Sequence, residues 1–378
     1  MSLDVEVLHQ RLTESLARDG HFPSGWGQEV FERVPRHLFA PETVWEWDGA
    51  ERRWIPVRRE HAPQRWAELL YARDAVVTQV DDGRSGLGRE ATCSISAPAA
   101  VLNMLASLEP RPGDRVLEIG TGSGYHTALL CERVGEQHVT SVEIDASLVR
   151  RAVEVLADAG YRPHVVWGDG ELGWPDGAPY DRLISTAAVR RVPPAWLEQV
   201  RPGGEIVTPW FPNYHGRGLI WLRMGDDGTA QGWFHGREAF MPVRGQRAER
   251  LDVRAVWAAT RQEAVRTGTD LDLNDLDAHG EFALNVRLPG VGCYRQEADG
   301  GWFFLSEDSG SWARLSGMAA FRYGSRDLLA EVATAAEWWR ANDRPKLFDF
   351  GLTVTKDQQH IWLRSPQHIV ASEREGSA

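Results

Sequence analysis

The segment that most constrains the fold of this chain reads VLEIGTGSGYHTALL. It predicts a buried strand that ends at Glu118, a turn with three alternate glycines, and a following helix. Because glycine has no Cβ, the backbone at Gly120, Gly122 and Gly124 can approach a ligand that a side chain would push away. The first N–H groups of a helix have no partner within the helix, so this turn favours a polar or anionic ligand edge.

Two further segments predict strands that end at the same edge of a parallel sheet. HVTSVEID places Glu143 at a strand end, where its carboxylate can accept both hydroxyls of a ribose. VVWGDG places Asp169 and Gly170 at another, where an adenine edge could be hydrogen-bonded. Open α/β sheets bind ligands at this edge. The Gly-x-Gly-x-Gly spacing differs from the Gly-x-Gly-x-x-Gly of dinucleotide enzymes and favours S-adenosylmethionine over NAD.

Each of these signals also has a purely structural interpretation. Glycine turns serve chain geometry in many folds, and a lone acidic residue at a strand end is usually solvated. It is the succession of three such strand ends that favours a cofactor pocket.

Composition narrows the class of protein. The chain has 378 residues, 42% hydrophobic and 25% charged, with a net charge of −12, which is typical of a soluble protein and argues against a dedicated nucleic-acid binder. Its three cysteines are too scattered for a metal site and too few for a disulfide framework. We find no signal-peptide core and no apolar run of membrane-spanning length, so we expect a cytoplasmic enzyme with no membrane partner.

The order of predicted elements indicates three regions. Residues 1–90 predict a helical region with an inserted aromatic hairpin that turns at Asp48 and Gly49. Residues 91–246 alternate strands and helices, as in an α/β fold with a doubly wound, mostly parallel sheet. Residues 247–378 predict a C-terminal α+β extension, which we expect to be an accessory domain that recognises a peptide.

The apolar pattern also predicts individual helices and strands at defined positions. We expect a helix from Pro98 to before Pro110, because proline suits the first helical turn. REAFMPVR, at residues 237–244, and EFALNVRL, at residues 281–288, both read as strands. Residues 253–265 and 325–340 read as helices.

Ser96 is the candidate catalytic residue, in the phrase CSISAPAAVLNML just before the glycine loop. A structural interpretation makes it the cap of the helix that begins at Pro98. A functional interpretation has its hydroxyl hydrogen-bond a substrate carboxylate and align it for methyl transfer.

Several phrases in order resemble the protein-L-isoaspartate O-methyltransferase family: VPRHLFAP, SISAP, VLEIGTGSGY, GDGELGWP, AAVRRVPPAWLEQVRPGGEIVTP and FMPVRG. The resemblance covers residues from about 26 to 246. It implies a Rossmann-like class I methyltransferase fold, S-adenosylmethionine as methyl donor with S-adenosylhomocysteine as product, and a peptide aspartyl-type carboxylate as acceptor. It implies an active-site serine at Ser96, substrate contacts that include Ser94, and cofactor contacts at Glu118, Gly120, Thr121, Gly122, Ser123, Gly124, Glu143, Ile144, Asp169 and Gly170.

The chain departs from the repair enzymes of this family, which usually end near FMPVRG. The extension and its GSWA phrase at residues 310–313 resemble methyltransferases of graspetide and lanthipeptide biosynthesis. That resemblance implies a precursor peptide as partner, already modified by an ATP-grasp ligase or a lanthionine synthetase. The methyl ester of its aspartate would then cyclise to an aspartimide. A general isoaspartyl repair enzyme and a catalytically idle recognition protein are the alternatives.

Substrate recognition has weaker candidates. Arg190 and Arg191 follow a predicted strand and could meet acidic side chains of a peptide, although arginines on loops are more often solvated. The tryptophans of the hairpin and of the extension could line a peptide groove, although aromatic residues at strand spacing more often belong to the core.

Overall fold

The computed structural model describes residues 4–84, 88–211, 217–247, 252–295, 301–317 and 319–374. The chain divides into two compact units. The first comprises Met1–Ala187, Pro193–Thr208 and Arg223–Gly228, and the second Ala188–Val192, Pro209–Leu222 and Thr229–Ala378.

Helices and strands from the first part of the chain build the first unit. Its helices are α1 (Val5–Arg18), α2 (Gly27–Arg33), α3 (Pro63–Leu70), α4 (Pro98–Leu108), α5 (Tyr125–Val134), α6 (Ala146–Asp158) and α7 (Pro194–Gln199). Its strands are β1 (Thr43–Asp48), β2 (Arg53–Arg58), β3 (Val76–Val80), β4 (Ala91–Ile95), β5 (Val116–Ile119), β6 (Val139–Glu143), β7 (His164–Trp167), β8 (Tyr180–Ser185) and most of β9 (Val200–Trp210).

A parallel sheet forms the centre of this unit, with the strand order β9–β8–β5–β6–β7. Every residue of β5 and β6 is buried, as expected for strands covered on both faces by helices. The order reverses between β5 and β8, and at such a switch point the carboxyl ends of the strands form a crevice where these sheets bind ligands. The predicted Rossmann-like α/β fold is confirmed.

A second, antiparallel sheet has the order β2–β1–β3–β4. The predicted hairpin is its β1–β2 pair, and the Asp48 carboxylate closes the turn by accepting the N–H groups of Ala50 and Glu51 at 2.9 and 3.1 Å. The pairing of this hairpin with β3 and β4 was not predicted. Because β4 leads directly to Ser96, the insertion is structurally continuous with the candidate site.

The second unit contains the remaining elements. These are β10 (Gly218–Met224), which ends in the first unit, β11 (Ala230–Gly236), α8 (Val253–Thr260), β12 (Val265–Gly268), α9 (Ala278–Arg287), β13 (Val291–Arg295), β14 (Trp302–Ser306), β15 (Trp312–Ser316), β16 (Ala319–Tyr323), α10 (Leu328–Ala341), β17 (Phe350–Val354), β18 (Gln358–Leu363) and β19 (Ile369–Arg374). One sheet has the order β12–β16–β15–β14–β13, and the other runs β10–β11–β17–β18–β19.

The predicted strand at residues 281–288 is wrong, because this segment belongs to helix α9. The Asp277 carboxylate caps the helix by accepting the N–H groups of His279 and Gly280, each at 2.9 Å. Phe282 and the apolar residues after it are buried. A helix buried on most of its surface has no amphipathic period, so a short apolar run is easily mistaken for a strand.

The predicted strand at residues 237–244 is also wrong. This segment makes only an isolated bridge, in which Ala188 donates its N–H to Met241 and accepts that of Val243. Pro242 between them has no N–H and cannot continue a ladder. The helix predicted at residues 253–265 ends earlier, at Thr260, whereas helices α4 and α10 lie where they were expected. Within the described ranges, no helix is both long and apolar enough to cross a membrane.

Candidate active site

The glycine loop joins β5 to α5 in a backbone conformation that L side chains rarely adopt. Gly120, Gly122 and Gly124 have φ angles of +94°, +54° and +84°. A Cβ at Gly120 would lie 2.8 Å from Thr186 Oγ1, closer than two such atoms can approach without movement. The Gly120 N–H donates to the Val142 carbonyl at 2.8 Å. Backbone conformation and close packing therefore both require glycine at position 120.

Glu118 lies at the strand–helix junction and is completely buried, with 0% of its surface exposed. One carboxylate oxygen contacts His126 Nδ1 at 2.6 Å. The other accepts hydrogen bonds from the hydroxyls of Thr127 and Ser141, at 2.5 and 2.6 Å. Glu118 thus links β5 to β6 and α5. Because it is buried beneath the glycine loop, it stabilises the two elements that the loop joins.

Glu143, at the end of β6, binds the glycine loop directly. Its Oε2 accepts the N–H of Gly122 at 2.9 Å, and its Oε1 accepts the N–H of Asp145 at 3.0 Å. Thr121 is held by a 2.6 Å contact between its hydroxyl and that of Ser141. Glu143 is largely buried, so an acidic group is fixed beside the loop.

The predicted adenine contacts lie at the carboxyl end of β7. Asp169 is exposed, and its Oδ1 accepts the N–H of Glu171 at 2.9 Å. A Cβ at Gly170 would lie 2.4 Å from Ile119 Cγ2, so this position is closely packed. Ser123, in the glycine loop, is buried and its hydroxyl accepts the N–H of Tyr125 at 3.4 Å.

Large apolar side chains are exposed at the same edge. Trp167 is 68% exposed, Leu172 64% and Ile144 36%. The Trp167 indole N–H donates to the Ile144 carbonyl at 3.1 Å, which brings the two residues together. Exposed apolar side chains grouped in this way can contact a flat purine ring. Sequence reasoning had included Ile144 but had missed Trp167, although it stands at a strand end in VVWGDG.

Ser96 lies between β4 and α4, but it does not cap the helix. The N-cap is Ala97, and no side chain caps this end, so the capping interpretation is wrong. Among the described residues, the Ser96 hydroxyl has no hydrogen-bond partner, and the residue is partly exposed. Ser94 is also partly exposed and pairs with Val77 across the sheet. The Ser96 hydroxyl is therefore available to a ligand.

Arg36, in the VPRHLFAP phrase, supports this segment and was not predicted as a site residue. Its Nη2 donates to the carbonyl oxygens of Ile95 and Ser96, at 3.3 and 3.1 Å. The side chain is 0% exposed and lies over the Tyr125 ring, 5.7 Å from its centroid. Burial lowers the pKa of Arg36, and within the described part of the chain it has no carboxylate partner. A buried cation thus lies against the backbone of Ser96.

The two candidate arginines belong to the second unit. The backbone N–H groups of Arg190 and Arg191 donate to Gln246 Oε1 at 2.6 and 2.9 Å. Arg190 also pairs with Glu307, at 3.1 Å. Its charge is therefore partly neutralised by an acidic residue of the same unit, and its role in substrate binding stays a prediction.

Comparison with known proteins decides the family. Residues 57–247 match the model for protein-L-isoaspartate(D-aspartate) O-methyltransferase (PCMT). The chain belongs to this family. As predicted, this PCMT-family protein is an S-adenosylmethionine-dependent O-methyltransferase.

Individual relatives agree with this assignment. The chain is 35% identical over 240 residues to a protein-L-isoaspartate O-methyltransferase of Methanopyrus kandleri, covering 63% of this chain and 91% of that relative. It is 50% identical over 207 residues to one of Ignicoccus hospitalis, covering 54% and 82%. A solved protein-L-isoaspartate O-methyltransferase shares the fold, with a TM-score of 0.55 at 19% identity, over 94% of this chain and 100% of that one. These relatives support the isoaspartyl alternative more directly than the precursor-peptide interpretation.

Proposed function

We propose that this PCMT-family enzyme methylates the free carboxylate of L-isoaspartyl residues in peptides and proteins. The observation that carries the proposal is the Ser96 hydroxyl, which does not cap α4. Its residue is held at the end of β4 because Arg36 donates to the Ser96 backbone carbonyl. The names of the relatives support the choice of substrate.

The residues at the sheet edge suit the cofactor. The glycine loop leaves no room for side chains, Glu143 can accept ribose hydroxyls, and the exposed Trp167 can cover an adenine ring. Asp169 and Gly170 would hold the adenine edge. When bound here, S-adenosylmethionine supplies an electrophilic methyl group.

The protein's part in the chemistry is positioning. A carboxylate has a pKa of about 4 and is ionised at neutral pH, so methyl transfer needs no general base. Ser96 would donate a hydrogen bond to one carboxylate oxygen and direct the other towards the methyl group. Holding the reacting atoms in line is worth several orders of magnitude in rate.

The product ester can react further without the enzyme. The amide nitrogen of the following residue attacks the ester carbonyl, and the amide proton leaves with methoxide as methanol. The resulting cyclic imide hydrolyses to aspartate or isoaspartate. One round of methylation thus returns part of the damaged residue to its normal form.

A second candidate substrate is an ordinary L-aspartate in a ribosomally made precursor peptide. The observation that favours it is the size of the second unit, most of which lies beyond residue 247, where the family match ends. A modified precursor from an ATP-grasp or lanthionine pathway would then be the partner.

Mass spectrometry of paired synthetic peptides tests the proposal. Two peptides of one sequence, with isoaspartate or aspartate at one position, are incubated with the intact protein and S-adenosylmethionine. We expect a gain of one methyl group on the isoaspartyl peptide, and loss of that activity in Ser96→Ala with cofactor binding retained. Methylation of only the aspartyl peptide would favour the second candidate, and methylation of neither would contradict the proposal.

A further inference from the structure

A cleft of about 520 Å³ in the first unit has no place in the proposed reaction. We call it the cationic cleft. Its lining residues come from the inserted hairpin, from β3, from α6 and from the segment before β1: Pro41, Glu42, Thr43, Trp45, Pro56, Arg58, Thr78 and Arg151.

The strand register explains why these residues share one surface. Thr43 pairs with Arg58, and Trp45 with Pro56, and side chains two residues apart along a strand point to the same face. Thr78 is the extra residue where the pairing of β3 with β4 shifts, and such bulges redirect a side chain. One face of the hairpin therefore forms one wall of the cleft.

The charges of the cleft favour an anion. Among the described residues, the side chains of Arg58 and Arg151 make no hydrogen bond or ion pair. Arg151 is half buried, and desolvation lowers its pKa. The one acidic residue of the lining, Glu42, lies 3.4 Å from Arg59, outside the cleft. Glu42 and Glu154 act on Arg151 through space and not as ion-pair partners. No described carboxylate is paired with either arginine of the cleft, so both can bind a carboxylate of a ligand, for which arginine offers bidentate geometry.

The cleft lies on the same sheet as the candidate catalytic serine. Val77 pairs with both Ser94 and Trp45, so β4, β3 and β1 are neighbours, and Arg58 on β2 is the third strand from β4. At about 4.8 Å per strand, this separation across the sheet is about 14 Å. The register also places Arg58 four residues along the strand direction from Ser96, about 13 Å, so the total separation is about 20 Å. An extended peptide covers it in about six residues.

We propose that the cationic cleft binds an acidic side chain of the peptide substrate, about six residues from the carboxylate that is methylated. This inference rests on the proposed function for the position of that carboxylate. It makes the hairpin a specificity element that selects acidic sequences.

Calorimetry on the full chain with bound S-adenosylhomocysteine tests the inference. The probes are isoaspartyl peptides with one glutamate about six residues before or after the isoaspartate, and the same peptides with glutamine instead. We expect the wild type to bind one glutamate peptide about tenfold more tightly than its glutamine partner. The double variant Arg58→Gln/Arg151→Gln should lose this preference. Arg53→Gln, also exposed on β2 but outside the cleft, should keep it.

Three results would overturn the inference: equal or absent binding of glutamate and glutamine peptides by the wild type, an unchanged preference in the double variant, or equal competition by inorganic phosphate and the glutamate peptide. The last would identify a general anion site. Methylation is measured separately on the same peptides. A peptide that binds with the expected preference but is not methylated would contradict the proposed function, while the preference of the cleft for an acidic side chain would still be shown.

Discussion

Replacement of Gly120 by alanine measures how far the cofactor loop depends on its glycine. Gly120 and Gly160 have nearly equal φ angles, +94° and +92°. A Cβ at Gly160 would meet no atom within 4 Å, whereas one at Gly120 would lie 2.8 Å from Thr186 Oγ1. Gly160→Ala therefore isolates the backbone strain, about 1–2 kcal/mol. Gly120→Ala adds an overpacking cost of about 1–3 kcal/mol.

Urea unfolding gives the two changes in the free energy of unfolding, and calorimetry gives the affinity for S-adenosylmethionine. We expect Gly160→Ala to leave that affinity within about twofold. Gly120→Ala should weaken it at least tenfold, about 1.4 kcal/mol, because the loop must move away from Thr186.

A double-mutant cycle separates the steric collision with Thr186 from the backbone strain at position 120. The Thr186 hydroxyl donates to the Gly120 carbonyl at 2.6 Å, so Thr186→Ala removes both this bond and the collision. In the Thr186→Ala background, Gly120→Ala should cost no more than Gly160→Ala. Equal costs of the two glycine substitutions in the wild-type background, or undiminished cofactor affinity in Gly120→Ala, would refute the steric argument.

Two further predictions follow from buried groups. Arg36→Lys keeps the charge but removes the Nη2 group that donates to both carbonyls, so kcat/KM should fall about tenfold with cofactor affinity unchanged. The buried control Arg182→Lys, whose partners are acidic, should stay within twofold. Equal losses in both variants would contradict a role through Ser96. Burial raises the pKa of the Cys93 and Cys293 thiols from 9.0 to about 12. Native protein should therefore resist thiol reagents at pH 8. Its free energy of unfolding should fall as the pH rises from about 9 to 12, since only the unfolded thiols ionise near 9; labelling at pH 8 or a flat alkaline profile would contradict this.

Much of the cofactor half of the site could be predicted from local sequence. The glycine turn and the acidic end of β6 are encoded within a few residues, and parallel strands bring their carboxyl ends to one edge. The role of Glu118 could not be predicted in the same way. The family resemblance implied a cofactor contact, whereas the structure shows a buried carboxylate with three hydrogen-bond partners on β6 and α5.

The errors in secondary structure have a common cause. EFALNVRL forms helix α9 because the Asp277 cap and burial on most sides both favour a helix. Neither effect produces the spacing of about 3.6 residues between apolar positions by which a helix is recognised in a sequence. REAFMPVR fails as a strand because its segment pairs only through one bridge. Pairing and burial depend on distant parts of the chain, so short apolar segments do not reveal them.

The sequence by itself determined the family, the central sheet and the glycine loop, because these depend on residues close together in the chain. Only the tertiary structure decided which polar groups near the site are already bound and which are available. It showed that Ser96 does not cap α4, that Arg36 holds its backbone, and that β1 and β2 extend the sheet that contains β4. Hydrogen-bond partners and counter-ions come from residues far apart in sequence, and folding alone brings them together.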